Sequence, residues 1–245
     1  MIKAILTGHS RGLGAAVAEA LLARGIPLLA LARSDNPALF AAHPDLVHET
    51  QIDLSDNAAL EAWLQTPALR DFLADADSTL LINNAGLLQP VGRVGEADAN
   101  AIIRAVAVNV TATLLLTNAF VAATRHCADR RVVHISSGAA RSPYAGWSVY
   151  CATKAALDHQ ARSMAAEHLP GLRVASLAPG VVDTGMQAEI RASSVEQFPQ
   201  KERFEALKSS GQLTAPEQAA QRLVNYLLGP NFGDVVDGDL RHLPD

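Results

Sequence analysis

The chain is poor in cysteine. Its 245 residues include two cysteines, Cys127 and Cys151, which are too few for a disulfide framework and lack the spacing of metal ligands. We therefore expect small buried thiols at both positions and no metal site.

Basic clusters and long apolar runs are missing as well. The formal net charge is -5 at pH 7, and no stretch of Lys and Arg is dense enough to follow a nucleic-acid backbone. No uninterrupted apolar run approaches the roughly 18 residues that cross a membrane. Residues 1–7 are too short for a signal peptide and indicate a strand. We expect a cytoplasmic protein without nucleic-acid or membrane partners.

The sequence does contain enough apolar residues for one substantial core. Hydrophobic residues make up 49% of the chain, and short apolar runs alternate with amphipathic stretches. The apolar runs are continuous, which is typical of strands covered on both faces of a parallel sheet. The predicted strands are residues 2–7, 27–32, 47–52, 79–83, 132–136 and 173–178. The predicted helices lie near residues 12–24, 56–65, 98–124, 148–168 and 216–228.

This alternation predicts an α/β fold, with a doubly wound, parallel, Rossmann-like sheet between two layers of helices. The chain shows no internal repeat and no linker, so we predict a single domain over residues 1–245. Residues 183–212 are more polar and long for a simple connection. Long ordered insertions are often lids or binding loops, so we predict a substrate loop there. A surface excursion with one or two short helices is the alternative.

A glycine-rich turn follows the first predicted strand and precedes a helix. Its glycines permit a tight turn and close backbone approach, and the helix N-terminus offers N–H groups to a pyrophosphate. Because no Lys-Ser or Lys-Thr follows the last glycine, the turn is not a nucleoside-triphosphate loop. The predicted cofactor contacts in this turn are Gly8, Ser10, Arg11, Gly12, Leu13 and Gly14.

The second predicted strand indicates which dinucleotide binds. A site that prefers NAD usually has a carboxylate at its end, where this chain has Ala32 followed by Arg33. Arg11 in the glycine turn is a second arginine, and guanidinium groups match the oxygens of a 2′-phosphate. We therefore predict NADP(H) as the cofactor; the alternative is that one arginine only faces solvent.

Two further strand ends contribute polar groups at the same sheet edge. Asp53 ends the third predicted strand and could accept a hydrogen bond from an adenine amino group. Residues 83–86, Asn-Asn-Ala-Gly, end the fourth strand. Cofactors bind at this edge in open α/β sheets. We predict cofactor contacts from Asp53, Leu54, Asn83, Ala85 and Gly86.

Tyr150 and Lys154 are four residues apart, and Ser137 lies thirteen residues before the tyrosine. On a helix, residues i and i+4 share one face. A free phenol has a pKa of about 10, and a neighbouring cation lowers that pKa. A serine hydroxyl at the same place could hold a substrate oxygen while a proton moves. The pattern predicts a proton-transfer site, although a buried tyrosine beside a solvated lysine would give the same spacing.

Together these motifs resemble the short-chain dehydrogenases/reductases of the classical type over almost the whole chain. The matching segments are residues 7–14, 53, 83–86, 109, 136–137, 150–154 and 179–184. The resemblance implies a catalytic tetrad of Asn109, Ser137, Tyr150 and Lys154, in which Asn109 holds a water and Lys154 also binds the nicotinamide ribose. It further implies cofactor contacts from Pro179, Gly180, Val182 and Thr184.

Residues 146–156, 178–186 and 234–237 are similar to the corresponding stretches of sepiapterin reductases and of benzil-reductase-like proteins. This resemblance implies that Asp237 anchors the substrate, whereas a turn residue before Gly238 is the alternative. Tyr144, Trp147 and Met186 are predicted to line the substrate pocket with Ser137, although core packing would also explain them.

The predicted function is an NADPH-dependent oxidoreductase that reduces a ketone or diketone carbonyl of a small molecule to an alcohol. Hydride passes to the carbonyl carbon, Tyr150 donates a proton to oxygen, and Ser137 donates a hydrogen bond to the developing alkoxide. A 3-oxoacyl-carrier reductase, an alcohol dehydrogenase and a non-catalytic NADP-binding sensor stay open as alternatives. The family resemblance implies a homodimer or homotetramer packed through helices 98–124 and 148–168.

Overall fold

The protein is described by a computed structural model over residues 1–243, so the last two residues of the predicted domain lie outside the described residues. Within that range the strands form one parallel sheet of seven strands in the order β3-β2-β1-β4-β5-β6-β7. The strands are β1 (Ile2–Thr7), β2 (Leu28–Ala32), β3 (Val47–Gln51), β4 (Ser78–Asn83), β5 (Asp129–Ile135), β6 (Leu172–Ala178) and β7 (Asp237–Asp239).

The helices of the described residues cover both faces of this sheet. They are α1 (Gly12–Leu22), α2 (Pro37–Ala42), α3 (Asn57–Gln65), α4 (Ala68–Leu73), α5 (Ala99–Val106), α6 (Ala112–Ala123), α7 (Ser148–Ala166), α8 (Gly185–Ala192), α9 (Lys201–Ser209) and α10 (Pro216–Leu228). A π-helical turn, Ala107–Thr111, joins α5 to α6, and short 3-10 turns lie at Gly138–Ala140 and Leu240–His242.

Alternating side chains of the central strands enter two separate cores. In β1, Ala4 and Leu6 pack with α1 and α10 on one face, whereas Ile5 packs with α3, α4, α6 and α7 on the other. All three residues are fully buried, which explains why the strand is apolar throughout. The predicted three-layer, doubly wound, single-domain fold is confirmed.

The sheet continues one strand beyond those predicted. The seventh strand, β7, has the sequence Asp-Gly-Asp and therefore carries no apolar pattern. It forms because the chain runs beside β6, where the Ser176 amide donates to the Val236 carbonyl at 2.7 Å. This pairing brings the C-terminal tail to the carboxyl edge of the sheet.

One continuous helical stretch, Ala99–Ala123, is long and apolar enough by length and composition to cross a membrane. Half of its most apolar window is buried inside the protein, and core helices of soluble folds meet the same criterion. Arg104 and Asn109 interrupt this stretch, so it contains no continuous apolar run of that length. The absence of a membrane span stays a prediction.

An apolar groove runs between α5 and α7 on the surface. It is lined by Ile102, Val106, Val110, Ser148, Val149, Ala152 and Thr153. These are the two helices through which the family resemblance implies oligomers, and the oligomeric state stays a prediction.

Candidate active site

A cleft of about 550 Å³ opens at the carboxyl edge of the sheet. The chain winds outward from β1 through β2 to β3 and then returns to β4 on the other side of β1. Loops leaving β1 and β4 therefore diverge, which creates a crevice at the point where ligands bind in open α/β sheets. The cleft joins the glycine turn at one end to Tyr150 and Trp147 at the other.

The turn after β1 requires glycine at three positions. Gly8 and Gly12 adopt the left-handed region, with φ of 75° and 59°. A Cβ on Gly14 would lie 2.0 Å from the Gly8 carbonyl oxygen. The Asn84 side-chain amide donates to the Thr7 and Gly8 carbonyl oxygens at 2.9 and 3.2 Å and holds the turn. The result is a backbone cradle of the kind that fits a pyrophosphate.

Three arginines line the end of the cleft that contains the β2 and β3 termini. Arg11 and Arg33 were predicted there, and Arg104 of α5 joins them. Arg104 lies outside the cofactor motifs in sequence, so only the folded chain reveals its position near Asp53. Its guanidinium is 3.9 Å from the Asp53 carboxylate, and both side chains are about half exposed.

Asp53 stays charged beside these arginines. Burial by itself raises the pKa of Asp53. Hydrogen bonds from the Ser55 amide and hydroxyl, together with the charges of Arg104 and Arg33, outweigh burial and hold the pKa below its ordinary value. The carboxylate can therefore accept hydrogen bonds at neutral pH.

Most of the predicted cofactor residues meet in this cleft, and Asn83 is the exception. The lining includes Gly8, Ser10, Arg11, Gly12, Leu13, Gly14, Arg33, Asp53, Leu54, Ala85, Gly86, Pro179, Gly180, Val182 and Thr184. Asn83 instead faces the core, where its amide contacts the Thr117 hydroxyl and His134 Nδ1, each at 3.1 Å. Because side chains alternate along β4, its neighbour Asn84 lines the cleft.

Tyr150 and Lys154 lie one turn apart on α7 and face the other end of the cleft. Both are buried, and the Lys154 Nζ is 5.8 Å from the centroid of the Tyr150 ring. The Lys154 ammonium donates to the Ile135 carbonyl oxygen at 2.7 Å, which ties it to the end of β5. Burial lowers the pKa of Lys154 to about 8, and the charge of Asp158 opposes that shift.

The pKa of Tyr150 corrects the sequence-based prediction. Burial raises it to about 12, the Ser137 hydroxyl opposes this, and Cys151 adds to it. We expected Lys154 to lower this pKa, but removing the phenol from water is the larger effect for a side chain that is 6% exposed. Tyr150 is therefore a neutral phenol at neutral pH.

Ser137 and Asn109 occupy different kinds of position. Ser137 lines the cleft after β5. Its Oγ accepts from the Ala139 amide at 3.1 Å, and its hydroxyl also interacts with the Tyr150 phenol. Asn109 lies outside the cleft lining, fully buried in the π-helical turn. Its side chain exchanges hydrogen bonds of 2.7 and 2.8 Å with the Leu87 backbone and donates to Thr153 at 3.1 Å. It fixes the loop after β4 against α7, and the water that the resemblance assigns to it stays a prediction.

Aromatic residues form the wall beyond Tyr150. Trp147 stacks on Phe198 with ring centroids 4.3 Å apart, and Phe198 belongs to the predicted substrate loop. A Cβ on Gly146 would lie 2.1 Å from the Gln197 carbonyl oxygen, so the two segments are in direct contact. Tyr144, Trp147 and Met186 all line the cleft as predicted. The Tyr150 hydroxyl is 3.9 Å from the Met186 sulfur.

Asp237 does not reach the cleft. It is not among the lining residues, and its carboxylate pairs with Arg162 of α7. Two residues further on, Asp239 and Arg241 line the cleft and form a paired contact of 2.9 and 2.6 Å. Asp237 was the predicted substrate anchor, but its pairing with Arg162 keeps it from that role here, and the course of β7 brings Asp239 to the cleft instead.

Neither cysteine is among the residues that line the cleft. Cys127 is buried and Cys151 is half-buried, and both are free thiols. Across residues 1–243, no group of three or more His, Cys, Asp or Glu side chains is placed to hold a metal ion.

Comparison with known proteins gives concordant results. The family model described as short chain dehydrogenase matches residues 3–194. The chain is 39% identical over 240 residues to a benzil reductase ((S)-benzoin forming) of Bacillus subtilis, covering 95% of this chain and 96% of that protein. It is 37% identical over 243 residues to a sepiapterin reductase of Meriones unguiculatus, covering 93% and 92%.

A solved structure of similar length shows the same architecture. It is a short-chain dehydrogenase/reductase from Burkholderia vietnamiensis, 44% identical in sequence, with a TM-score of 0.71. The match covers 99% of this chain and 98% of that one, so the similarity extends from the glycine turn to the C-terminal tail.

Proposed function

The chain belongs to the short-chain dehydrogenase/reductase family and is an oxidoreductase, and from that premise we propose that it is an NADPH-dependent reductase of a small ketone or diketone. One observation carries the proposal. A buried tyrosine and lysine share one face of α7 beside a serine, and all three face a cleft that begins at a backbone cradle for phosphate. The benzil reductases among the relatives favour a diketone.

NADPH is the cofactor that the cleft residues fit best. The glycine cradle suits the pyrophosphate, and Asp53 suits the adenine amino group. Arg11 and Arg33 suit a 2′-phosphate, and Ala32 offers no carboxylate to a ribose hydroxyl. NADPH, when bound, supplies the hydride that the reduction requires.

The protein's own residues manage the carbonyl oxygen. In our proposal, the Ser137 hydroxyl donates a hydrogen bond to this oxygen and stabilises the negative charge that develops as the carbon is reduced. Tyr150 then transfers its phenolic proton to the oxygen, which completes the alcohol and leaves a phenolate. The Lys154 ammonium, one turn away on α7, stabilises that phenolate until solvent returns a proton.

The pKa of Tyr150 fits the role of proton donor. A phenol with a pKa of about 12 keeps its proton at neutral pH, so the acid form is the resting form. An alkoxide is a much stronger base than a phenolate, and the transfer from Tyr150 to it is downhill. The reverse reaction would use the same groups, with Tyr150 as the base.

The lining of the substrate end favours an apolar carbonyl compound. Leu88, Trp147, Val181, Ile190 and Phe204 contribute apolar or aromatic surface around Tyr150. Such surfaces bury the flat, apolar flanks of a ligand and leave orientation to a few polar groups. We propose that residues 183–212 act as the substrate loop, since α8 and α9 carry part of this wall.

Neither an acyl carrier nor a pterin gains support from the geometry. The pterin anchor implied by the resemblance was Asp237, which is paired with Arg162 outside the cleft. The exposed cations near the substrate loop are mixed with acidic residues, as in the Lys201–Glu205 pair. We therefore keep the diketone as the proposed substrate class.

Tyr150→Phe tests the proposal. NADPH consumption is measured over diketones such as benzil, simple ketones, aldehydes, sepiapterin and acyl thioesters, with NADPH binding followed separately by fluorescence. The wild type should reduce the diketones best, and Tyr150→Phe should lose at least about 100-fold in turnover while binding NADPH normally, because general-acid assistance contributes roughly that much.

Tyr226→Phe is the matched control. Tyr226 lies in α10 outside the cleft lining, so losing its hydroxyl should leave turnover unchanged. Wild-type turnover in Tyr150→Phe would show that another group donates the proton. A wild type that binds no NADPH and reduces no carbonyl would remove the proposed function altogether.

A further inference from the structure

Asp158 is a buried carboxylate that the proposed chemistry does not use. It lies on α7 one turn after Lys154, and it is 2% exposed. Its Oδ1 accepts hydrogen bonds from the Ser136 hydroxyl at 2.6 Å and from the Ser176 hydroxyl at 2.7 Å. Ser136 precedes Ser137 at the end of β5, and Ser176 belongs to β6. One carboxylate oxygen therefore joins the helix of Tyr150 and Lys154 to the strand end that carries Ser137.

The second oxygen of Asp158 has a different environment. Among the described residues, no hydrogen-bond donor reaches Oδ2. The distance from the Arg141 Nε to this oxygen is 3.9 Å. Arg141 is partly exposed and donates to the Gly238 carbonyl oxygen at 3.0 Å. A buried carboxylate without a tight ion pair is costly, and an uncharged residue could also receive the serine hydrogen bonds. The charge itself therefore calls for a role.

We propose that Asp158 is a positioning residue for the reduction, which fixes the Ser137 strand end against α7 and supplies the negative charge that stabilises the Lys154 ammonium. This inference rests on the proposed function. Two residues four apart on a helix have neighbouring side chains, and both of these are buried, so solvent screens their attraction little. Consistent with this, the Asp158 charge raises the pKa of Lys154 against the larger effect of burial.

Other groups near this pair are either neutral or paired elsewhere. His134 of β5 is fully buried, and burial together with the Lys154 charge lowers its pKa to about 3, so it is uncharged in any ordinary assay. Tyr150 is a neutral phenol on the same helix. Arg162, one turn after Asp158, pairs with Asp237 of β7. Arg141 is thus the other cation that faces Asp158.

The decisive variant is Asp158→Asn, which keeps a carbonyl oxygen for the two serines and removes the charge. Without that charge the pKa of Lys154 should fall by about one unit. This change is small compared with the pKa shifts that a buried neighbouring charge can produce. Turnover should then decline at lower pH than in the wild type. With a wild-type Lys154 pKa of about 8, the loss should be about fivefold near pH 8 and less than about twofold near pH 6.

Ser176→Ala is the matched control, because it removes one hydrogen bond from Asp158 and keeps the charge. It should lower the melting temperature and leave the pH dependence of turnover in place. Two results overturn the proposal: a loss in Asp158→Asn that is equal at every pH, or a shift in Ser176→Ala as large as that in Asp158→Asn. Either would leave Asp158 with a purely structural function.

If Asp158→Asn does not fold, Arg141→Gln gives the test on a surface residue. Without Arg141, the Asp158 charge acts on Lys154 unopposed, so turnover should persist to higher pH. A profile that stays in place or moves to lower pH overturns the proposal. The two proposals fail in distinguishable ways. A wild type that reduces no carbonyl contradicts both the proposed function and the proposed role of Asp158. An active wild type whose variants lack the expected pH profiles contradicts only the role of Asp158.

Discussion

Gly14→Ala is the substitution whose effect follows most directly from the coordinates. Its Cβ would lie 2.0 Å from the Gly8 carbonyl oxygen, whereas ordinary contacts begin at 3.4 Å, so the two backbones must separate by about 1.4 Å. Neither side moves easily. Gly8 is held by Asn84, and α1 is anchored by the buried residues Val17 and Ala18.

The magnitude can be worked from opposing effects. Overpacking at a rigid site costs about 3 kcal/mol, and replacing a helical glycine by alanine returns about 1 kcal/mol. The net loss of about 2 kcal/mol corresponds to a fall in melting temperature of about 6 °C for a chain of this size. Because the cradle is displaced as well, NADPH affinity should fall at least about tenfold, the equivalent of one lost hydrogen bond.

The assay combines thermal unfolding with NADPH titration. Gly185→Ala is the control for the melting temperature alone, since Gly185 lines the cleft. Gly185 begins α8, lies outside the left-handed region and has no atom within 4 Å of its Cβ position, so alanine should leave the melting temperature unchanged or slightly raised. Wild-type stability and NADPH affinity in Gly14→Ala would refute the reasoning, because they would mean that the turn and helix are not in contact as described.

Two further predictions concern the cofactor and the assembly. Arg33→Ala should weaken NADPH binding about tenfold or more and should have little effect on NADH binding, because a charge-assisted bond to the 2′-phosphate is lost. Titration of both cofactors tests this, with Arg70→Ala at an exposed position as the control. Equal losses for both cofactors would contradict the assignment. Val106→Glu places a charge in the groove between α5 and α7 and should convert an oligomer into a monomer, as measured by light scattering. Val94→Glu, at an 85% exposed loop position, should leave the oligomer intact. A monomeric wild type would contradict the expected homo-oligomer.

The sequence by itself determined the architecture and the chemical type of the site. Continuous apolar strands that alternate with amphipathic helices predict a parallel sheet with both faces covered. The structure contains that sheet. The glycine turn and the spacing of Tyr150 and Lys154 were also readable, because tight turns and helical periodicity are local properties. The structure brings these two features to opposite ends of one cleft.

The tertiary structure decided which of several neighbouring residues lines the cleft. Asn84 rather than Asn83 lines the cleft because of the pleat of β4, and Asp239 rather than Asp237 does so because of the course of β7. Arg104 joins the cofactor end only through the packing of α5. None of these facts is local in sequence, so no motif could have supplied them.

Burial produced the largest difference between expectation and structure. From sequence, Lys154 was expected to lower the pKa of Tyr150, but the loss of water around the phenol raises it to about 12. The buried charge of Asp158 likewise becomes visible only when α7 packs on β5 and β6. Sequence spacing fixes which groups are neighbours along a helix, whereas the depth at which they lie sets their protonation, and depth is a property of the assembled fold.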